Sequence, residues 1–191
     1  MAIKESNIIR CSWCGTDELY TRYHDEEWGK PVQNDQVLFE FLILEAAQAG
    51  LSWITILRRR ENYRKAFANF NPVKVASFTP EDVEQLMQNE GIIRNRLKIK
   101  AAISTARIFL EMQKEFGSFY NYLTQFFPEG KPMINEVKAG EILQPTSEIS
   151  DKISKDLKKR GVKFFGSTIC YAYLQAIGFV NDHIENCSFR F

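Results

Sequence analysis

The scarcest metal-ligating side chains of this sequence stand near its two ends. The chain has two histidines and four cysteines in 191 residues. Cys11 and His24 lie near one end, and His183 and Cys187 lie near the other. Two thiolates and two imidazoles suit tetrahedral Zn²⁺, whereas Mg²⁺ and Ca²⁺ prefer oxygen ligands. The pattern predicts a zinc ion that clips the two terminal segments together.

The spacing and number of these four residues indicate what kind of zinc site they would form. His183 and Cys187 are four residues apart, so on a helix they would project from one face and could share an ion. Four protein ligands leave no open position, so the zinc is predicted to be structural. Cys14 forms a C-x-x-C with Cys11 and could replace it as the ligand. A metal-free alternative treats all of these residues as buried core or capping side chains.

His24 and Glu26 form an H-x-E sequence like that of the nucleobase deaminases, in which the zinc ion is catalytic. In those enzymes a P-C-x-x-C sequence follows the histidine. Here the C-x-x-C precedes the histidine and lacks the proline. This order excludes the deaminase class.

A second chemical feature is a carboxylate inside an apolar helical pattern. On a helical wheel of residues 36–53, Glu45 falls at the centre of the apolar face. An unpaired buried carboxylate is costly, so Glu45 is predicted to be hydrogen-bonded, protonated or functional. An ion pair with Arg or Lys from another helix is the structural alternative. Trp53 follows about 12 Å further along the axis if the helix continues past Gly50.

Aromatic residues accompany this carboxylate. Trp13, Tyr20, Tyr23 and Trp28 all fall in the segment that contains Cys11 and His24. Such residues are often only core, but beside a buried carboxylate they can stack on a planar base and attract cationic rings. The combination predicts a pocket for a flat, positively charged, amine-bearing ligand, such as an alkylated purine.

Basic residues surround a glycine-bounded turn in the second half of the chain. Residues 151–178 read as helix, hairpin and helix, an arrangement that binds DNA phosphates through helix N-termini and turn amides. The basic runs at 58–60 and 90–100 are more typical of solvated surfaces. The residues expected to contact the DNA backbone are Lys158, Lys159, Arg160, Lys163, Gly166, Ser167 and Thr168.

The hydrophobic periodicity predicts an all-α fold. Residues 128–149 contain three prolines and two glycines and read as one long loop. Strict period-two alternation is absent. The predicted helices span 36–49, 52–69, a segment between a Thr79 cap and a Gly91 stop, 94–115, 118–126, 151–160 and 167–178.

The composition is that of an ordinary globular domain, with 45% hydrophobic and 26% charged residues and a net charge of +1. Any nucleic-acid binding must therefore come from local clusters. The first ten residues contain no apolar stretch, so no signal peptide is expected. The longest apolar run carries Glu40, Glu45 and Gln48, which argues against a membrane span. Cysteines without an export signal favour the reducing cytoplasm.

Several motifs together resemble the 3-methyladenine DNA glycosylase I family of the helix-hairpin-helix superfamily, from about Cys11 to Cys187. They are CSW, YTRYHDEEWG, LEAAQAGLSWITILRRRENYR, GIIRNRLKI, LKKRGVKFFGSTICY and GFVNDH followed by a cysteine. The resemblance implies one glycosylase unit over 1–191, with the helix-hairpin-helix at about 151–178 and the zinc clip formed by 11–24 plus 183–187. It also implies a monomer that acts on double-stranded alkylated DNA in the cytoplasm, at the nucleoid, and releases free 3-methyladenine.

The same resemblance assigns roles to individual residues. Glu45 is expected to hydrogen-bond the flipped base, Trp53 to stack on it, and Gly50 with Leu51 to fill the gap that it leaves in the duplex. Tyr23, Trp13, Tyr20 and Trp28 are expected to complete the aromatic box. The superfamily usually has a catalytic Asp after the hairpin, but Asp182 lies too close to the hairpin to be assigned that role. The rival hypothesis is a non-catalytic, zinc-stabilised DNA-binding module with Glu45 in a salt bridge.

Overall fold

The computed structural model describes residues 8–191, and helices account for most of them. The described residues also include single-turn 3₁₀ helices at Ser12–Cys14, Ala68–Phe70 and Pro128–Gly130. The α-helices are α1 (Glu18–Glu26), α2 (Asp35–Gln48), α3 (Trp53–Leu57), α4 (Arg60–Ala66), α5 (Pro72–Ala76), α6 (Pro80–Gln88), α7 (Arg96–Phe116), α8 (Phe119–Thr124), α9 (Glu148–Arg160) and α10 (Ser167–Ala176). The prediction of a helical fold is therefore confirmed.

Helix α2 forms the centre of the core. The Asn34 side chain caps it by accepting from the amides of Gln36 and Val37. Helices α3, α7, α8 and α10 all pack against it. It is consequently buried on nearly every side, as expected of a helix without a polar face.

The single helix predicted over 52–69 is wrong. The chain bends after α3, starts again as α4, and then passes through Ala68–Phe70, whose three residues all have positive φ. The break lets Arg60 turn inward, where it pairs with the buried carboxylate of Glu40. Helical periodicity does not report such a pairing, because the partner lies on another helix.

Two short strands interrupt the helical pattern. Met133–Ile134 (β1) pairs in parallel with Val180–Asn181 (β2), and a bridge joins Val137 to Ile184. The loop predicted over 128–149 thus contains one strand and one 3₁₀ turn. Strands of two residues are too short to show alternation, which is why the sequence did not reveal them.

The helix boundaries follow local capping. Thr79 and Asp82 form a capping box at the start of α6, and Ser147 and Ser150 form one at the start of α9. The second box begins α9 three residues before the predicted start. Among the described helices none combines the length and apolar character that crossing a membrane requires. Residues 1–7, on which the signal-peptide expectation partly rests, lie outside the described residues.

Candidate active site

Glu45 is buried near the end of α2 and has no counter-ion within residues 8–191. Glu45 is 2% exposed, and its Oε2 atom has no hydrogen-bond partner in that part of the chain. Burial raises the pKa of the carboxyl group to about 8. The glutamate of α2 that pairs with arginines is Glu40, which binds Arg60 at 2.5 Å and Arg64 at 2.8 Å. The salt-bridge alternative therefore fits Glu40 and not Glu45.

Glu45 faces a cavity of about 330 Å³, within the range typical of small-molecule sites. The five aromatic residues that the sequence singled out all line the same cavity. The ring centroids of Trp13 lie 5.0 Å from Tyr20 and 4.8 Å from Trp28, and the Tyr23 and Trp53 centroids are 5.5 Å apart. The structure thus brings the predicted carboxylate and the predicted aromatic box together. The aromatic members are Trp13, Tyr20, Tyr23, Trp28 and Trp53.

Trp53 reaches the cavity because the chain reverses between two helices. Helix α2 ends at Gln48, and Gly50 adopts a φ of +82°, so the chain reverses before α3 begins at Trp53. The predicted break between the helices at 36–49 and 52–69 is therefore confirmed, whereas the continuation past Gly50, on which the spacing of about 12 Å depended, does not form. A residue other than glycine would be strained at this φ.

The reversal leaves a short apolar tip, formed by Gly50 and Leu51, beside the cavity. Leu51 is 40% exposed, and a Cβ on Gly50 would meet nothing within 4 Å. The Lys98 ammonium group fixes the base of the tip by donating to the carbonyl oxygens of Ala47 and Ala49 at 2.8 and 2.7 Å. The tip therefore has a rigid base and an exposed leucine.

The remaining walls of the cavity come from residues that the sequence reasoning missed. Gln48 lies one helical turn after Glu45, and that spacing was the one signal available for it. The others belong to the loop before α9 and to α10, and no local pattern placed them here. Thr168, which was expected at the DNA backbone, also lies at this cavity. The missed residues are Gln48, Leu143, Gln144, Pro145, Tyr171, Ala172 and Gln175.

Several buried polar atoms at this cavity lack partners among the described residues. They are Glu45 Oε2 and Gln48 Oε1, which can accept hydrogen bonds, and Trp13 Nε1 and Trp53 Nε1, which donate them. Buried polar groups are nearly always satisfied in folded proteins. Such unpaired groups in one cavity indicate a polar, planar ligand.

The four predicted metal ligands form one buried cluster. Their ligating atoms all lie within 4.8 Å of one another. Cys187 Sγ is 3.3 Å from His183 Nδ1 and 3.6 Å from His24 Nε2, and Cys11 Sγ is 3.6 Å from His183 Nδ1. A tetrahedron with zinc bond lengths of about 2.0–2.3 Å has edges of about 3.3–3.8 Å, and these three separations fall within that range.

The outer contacts of the cluster also fit a metal. Asp25 Oδ1 lies 2.8 Å from His24 Nδ1, and the Trp28 carbonyl oxygen lies 3.1 Å from His183 Nε2. Each acceptor directs the proton of its imidazole outward, so the other ring nitrogen is left as a ligand atom facing the cluster. Cys14 stays outside the set, because its thiol donates to the Cys11 carbonyl oxygen at 3.1 Å.

The last two ligands do not lie on a helix. His183 lies just after β2, and a bridge at Ile184 with a turn to Cys187 brings the thiol back toward the imidazole. The turn is closed by the Cys187 amide, which donates to the Ile184 carbonyl oxygen at 2.8 Å. A turn thus brings the two ligands together, as the spacing would also have done on a helix.

Helices α9 and α10 are joined by a turn at 161–166. Lys158, Lys159 and Lys163 are exposed there, and Lys158 and Lys163 border a surface groove. Ser167 does not point freely outward, because its hydroxyl is hydrogen-bonded to that of Ser150 at 2.8 Å. Lys155 also lines this groove, which thus combines three exposed lysines with Gly166, the residue that directly precedes α10.

Arg160 differs from these lysines. Its guanidinium group binds Glu115 at 2.6 Å and Asp156 at 2.9 Å and lies over the rings of Phe116 and Tyr122. Its assignment to the DNA backbone stays a prediction, although Glu115 and Asp156 already bind its guanidinium group within the protein. A charge count along the sequence does not separate Arg160 from the neighbouring lysines.

Comparison with known proteins agrees with this geometry. The family model described as methyladenine glycosylase matches residues 13–191. Over 178 residues the chain is 48% identical to DNA-3-methyladenine glycosylase 1 of Escherichia coli (strain K12), covering 93% of this chain and 95% of that protein. It is 45% identical to DNA-3-methyladenine glycosylase of Haemophilus influenzae, with 93% and 96% covered.

Solved structures give the same result. A crystal structure of 3-methyladenine DNA glycosylase I aligns with a TM-score of 0.92 at 48% identity, covering 96% of this chain and all of the other. A structure of the Staphylococcus aureus 3-methyladenine DNA glycosylase I, described for its recognition of 3-methyladenine, aligns with a TM-score of 0.92 at 34% identity, with 97% and 98% covered. This chain belongs to the methyladenine glycosylase family.

Proposed function

We propose that this chain excises 3-methyladenine from alkylated DNA, by flipping the damaged base out of the duplex and hydrolysing its glycosidic bond. The observation that carries the proposal is the unpaired, buried Glu45 in an aromatic cavity. The relatives that share nearly the whole length of the chain are DNA-3-methyladenine glycosylases by name.

The cavity suits the damaged base in shape and in charge. Aromatic walls stack on a planar purine, and their faces attract a base that carries positive charge. Glu45 and Gln48 offer acceptor oxygens to the amino group, while the two unpaired indole N–H groups offer donors to ring nitrogens. Each of these groups gains on binding the hydrogen bond that it lacks in the empty cavity.

The reaction needs little chemical assistance. An adenine methylated at N3 is cationic in DNA, so it leaves without being protonated first. The bond between the base nitrogen and the sugar C1′ breaks, its electron pair neutralises the base, and water adds to C1′ with loss of a proton. The protein's task is to select the base and admit water, so we assign Glu45 to base recognition.

Extrusion of the base depends on surfaces outside the cavity. We propose that Leu51 enters the gap left by the flipped nucleotide, since an apolar side chain can replace the lost stacking. Lys158, Lys159 and Lys163 would hold phosphates beside the hairpin, where ammonium groups contribute affinity that does not depend on base sequence. Thr168 would then lie between these phosphates and the cavity.

We also propose that Cys11, His24, His183 and Cys187 hold a structural Zn²⁺. Such an ion would supply folding free energy and no step of the reaction, because four protein ligands leave no open position. The support is the buried cluster and the two outward hydrogen bonds of its imidazoles.

The proposed enzyme would act as a monomer, because one chain brings Glu45 and all five predicted aromatic residues into the same cavity. Its substrate would be double-stranded chromosomal DNA, at the nucleoid in the cytoplasm. The overall charge of +1 leaves DNA attraction to the hairpin lysines.

Release of free bases from methylated duplex DNA, resolved by chromatography, tests the proposal. We expect the wild-type chain to release 3-methyladenine selectively and the Glu45→Ala variant to do so at least about tenfold more slowly, the factor expected from losing about 1.4 kcal/mol of recognition. A folded wild-type chain that binds DNA but releases no base would favour the non-catalytic binding module.

A further inference from the structure

A second buried carboxylate lies behind the wall of the cavity. Asp182 is 1% exposed and is not among the residues that line the cavity. It accepts hydrogen bonds from the Tyr171 hydroxyl at 2.8 Å, from Gln175 Nε2 at 2.7 Å and from Asn135 Nδ2 at 2.6 Å. The first two donors reach the same oxygen, Oδ2.

Two of these three donors are themselves part of the cavity wall. Tyr171 and Gln175 are four residues apart on α10, so they lie on one face of that helix, and both line the cavity. Asp182 is therefore hydrogen-bonded to the cavity wall through these two side chains.

The carboxylate determines how the two side chains are oriented. An ionised carboxylate accepts hydrogen bonds and cannot donate one, so the Tyr171 proton and one amide proton of Gln175 must point toward it. The opposite orientation of the Gln175 amide would place its oxygen against Asp182 and lose a hydrogen bond. The hydroxyl oxygen of Tyr171, which also lies 3.5 Å from Asn135 Nδ2, and Oε1 of Gln175 consequently keep lone pairs that can accept hydrogen bonds on the other side.

We propose that Asp182 is a positioning residue that turns Tyr171 and Gln175 into hydrogen-bond acceptors for the base in the cavity. This inference rests on the proposed function. The ligand that such a wall favours is a planar base that is electron-poor or carries N–H donors, and the wall adds to the acceptors that Glu45 and Gln48 supply.

A purely structural role for Asp182 makes a different prediction. Through Asn135, Asp182 also ties the segment after β1 to α10. If this link were its whole role, replacing it would lower stability and weaken ligand binding equally whatever residues stand at 171 and 175. The two roles are therefore separated by a double-mutant cycle.

The cycle uses the full-length protein and free 3-methyladenine, with affinity measured by the fluorescence of the tryptophans that line the cavity. We expect Asp182→Asn to weaken binding about tenfold in the wild-type background, which corresponds to about 1.4 kcal/mol. In the Tyr171→Phe/Gln175→Leu background the same change should weaken binding less than about twofold. Equal losses in both backgrounds, or no loss in the wild type, would overturn the proposal.

Asp35 provides a matched control for the loss of a structural carboxylate. It also accepts three hydrogen bonds that join separate segments, from Gln113 Nε2 and from the amides of Phe119 and Tyr120, and it does not line the cavity. Asp35→Asn should lower the melting temperature and leave the affinity for 3-methyladenine unchanged. A loss of affinity in Asp35→Asn as large as that in Asp182→Asn would show that destabilisation alone explains the effect.

A second pair of variants covers the case in which Asp182→Asn fails to fold. Tyr171→Phe and Gln175→Leu keep the carboxylate, and each should weaken binding about threefold through the loss of one acceptor; two unchanged affinities would overturn the proposal. Base release by the wild type is measured in parallel. No release means that the proposed function fails, whereas normal release with an unchanged Asp182→Asn affinity means that this inference alone fails.

Discussion

At the scale of single residues, two buried glutamates of α2 differ in whether they have a charged partner. Glu40 and Glu45 are both buried, but Glu40 is neutralised by Arg60 and Arg64, whereas Glu45 has no charged partner among the described residues. Burial without a counter-ion is unfavourable for the charged form, which explains the raised pKa of Glu45. Such an arrangement weakens the fold and is typical of a binding site.

Glu45 should therefore make stability depend on pH. Its pKa is about 8 in the folded chain and about 4.3 when exposed, so between these values the folded state keeps a proton that the unfolded state releases. The contribution is fully present below about pH 4 and is lost as the pH rises to about 8. The Glu45→Gln variant has no group that titrates at this position, so it avoids this loss. Its free energy of unfolding, measured relative to that of the wild type, should rise by about 3 kcal/mol from pH 5 to pH 8. Thermal unfolding at the two pH values measures this difference, and a constant difference would contradict the assignment.

At the scale of elements, the reversal between α2 and α3 depends on one lysine. Lys98 Nζ is bonded to two carbonyl oxygens at the end of α2, and these bonds hold the turn that carries Leu51. Its ammonium group complements the negative end of the helix. The tip that is proposed to enter DNA is thus fixed from another helix, α7.

Replacing Lys98 should loosen this tip. We expect Lys98→Met to lower the free energy of unfolding by about 1–3 kcal/mol, because two bonds from a charged donor are lost. The excision rate should fall more than the affinity for free 3-methyladenine, since the cavity itself keeps its side chains. Lys100→Met is the control, because Lys100 is exposed on the same helix. Chemical denaturation and single-turnover excision measure the two effects.

The hairpin between α9 and α10 offers a second comparison at this scale. Lys163→Ala should weaken duplex binding at all sequences and reduce the slope of log K against log salt by about 1, as expected for one lost phosphate contact. Arg160→Ala should lower the melting temperature and leave the salt slope unchanged, because Arg160 is paired with Glu115 and Asp156. DNA titrations at several salt concentrations check this prediction, and it is wrong if the two variants change the slope equally.

At the scale of the whole molecule, the terminal segments meet at the cysteine and histidine cluster. The N-terminal segment that contributes Cys11 and His24 to the cluster also contributes Trp13 and Trp28 to the cavity. Ligand binding in the cavity should therefore depend on the cluster. The ring centroids of Trp28 and His183 are 4.6 Å apart. Loss of the cluster should therefore disturb both the fold and the aromatic wall.

Removal of one ligand tests this link. We expect His183→Ala and Cys187→Ala to lose stoichiometric zinc and to melt at a lower temperature, because a closed zinc site contributes folding free energy. Cys14→Ala should keep one zinc per chain, since its thiol bonds the Cys11 carbonyl oxygen. Elemental analysis and thermal unfolding give the result. Zinc retained after both ligand substitutions would exclude the clip.

The sequence by itself determined what local patterns encode. The helical fold follows from apolar periodicity, and the start of α6 follows from its Thr79 capping box. Glu45 stood out because a carboxylate in an apolar pattern is costly wherever the helix packs. The four ligand residues stood out by their rarity and chemistry. None of these features depends on knowing the neighbours in space.

The tertiary structure alone decided which distant groups meet. Trp53 faces Glu45 because the chain reverses at Gly50, and the predicted break between two helices did not specify the direction in which the chain turns. Tyr171 and Gln175 became cavity walls because α10 packs on α2. Arg160 is paired with Glu115, which lies 45 positions away. These outcomes depend on long-range packing and ion pairing, whose free energies arise from contacts that the local sequence does not specify.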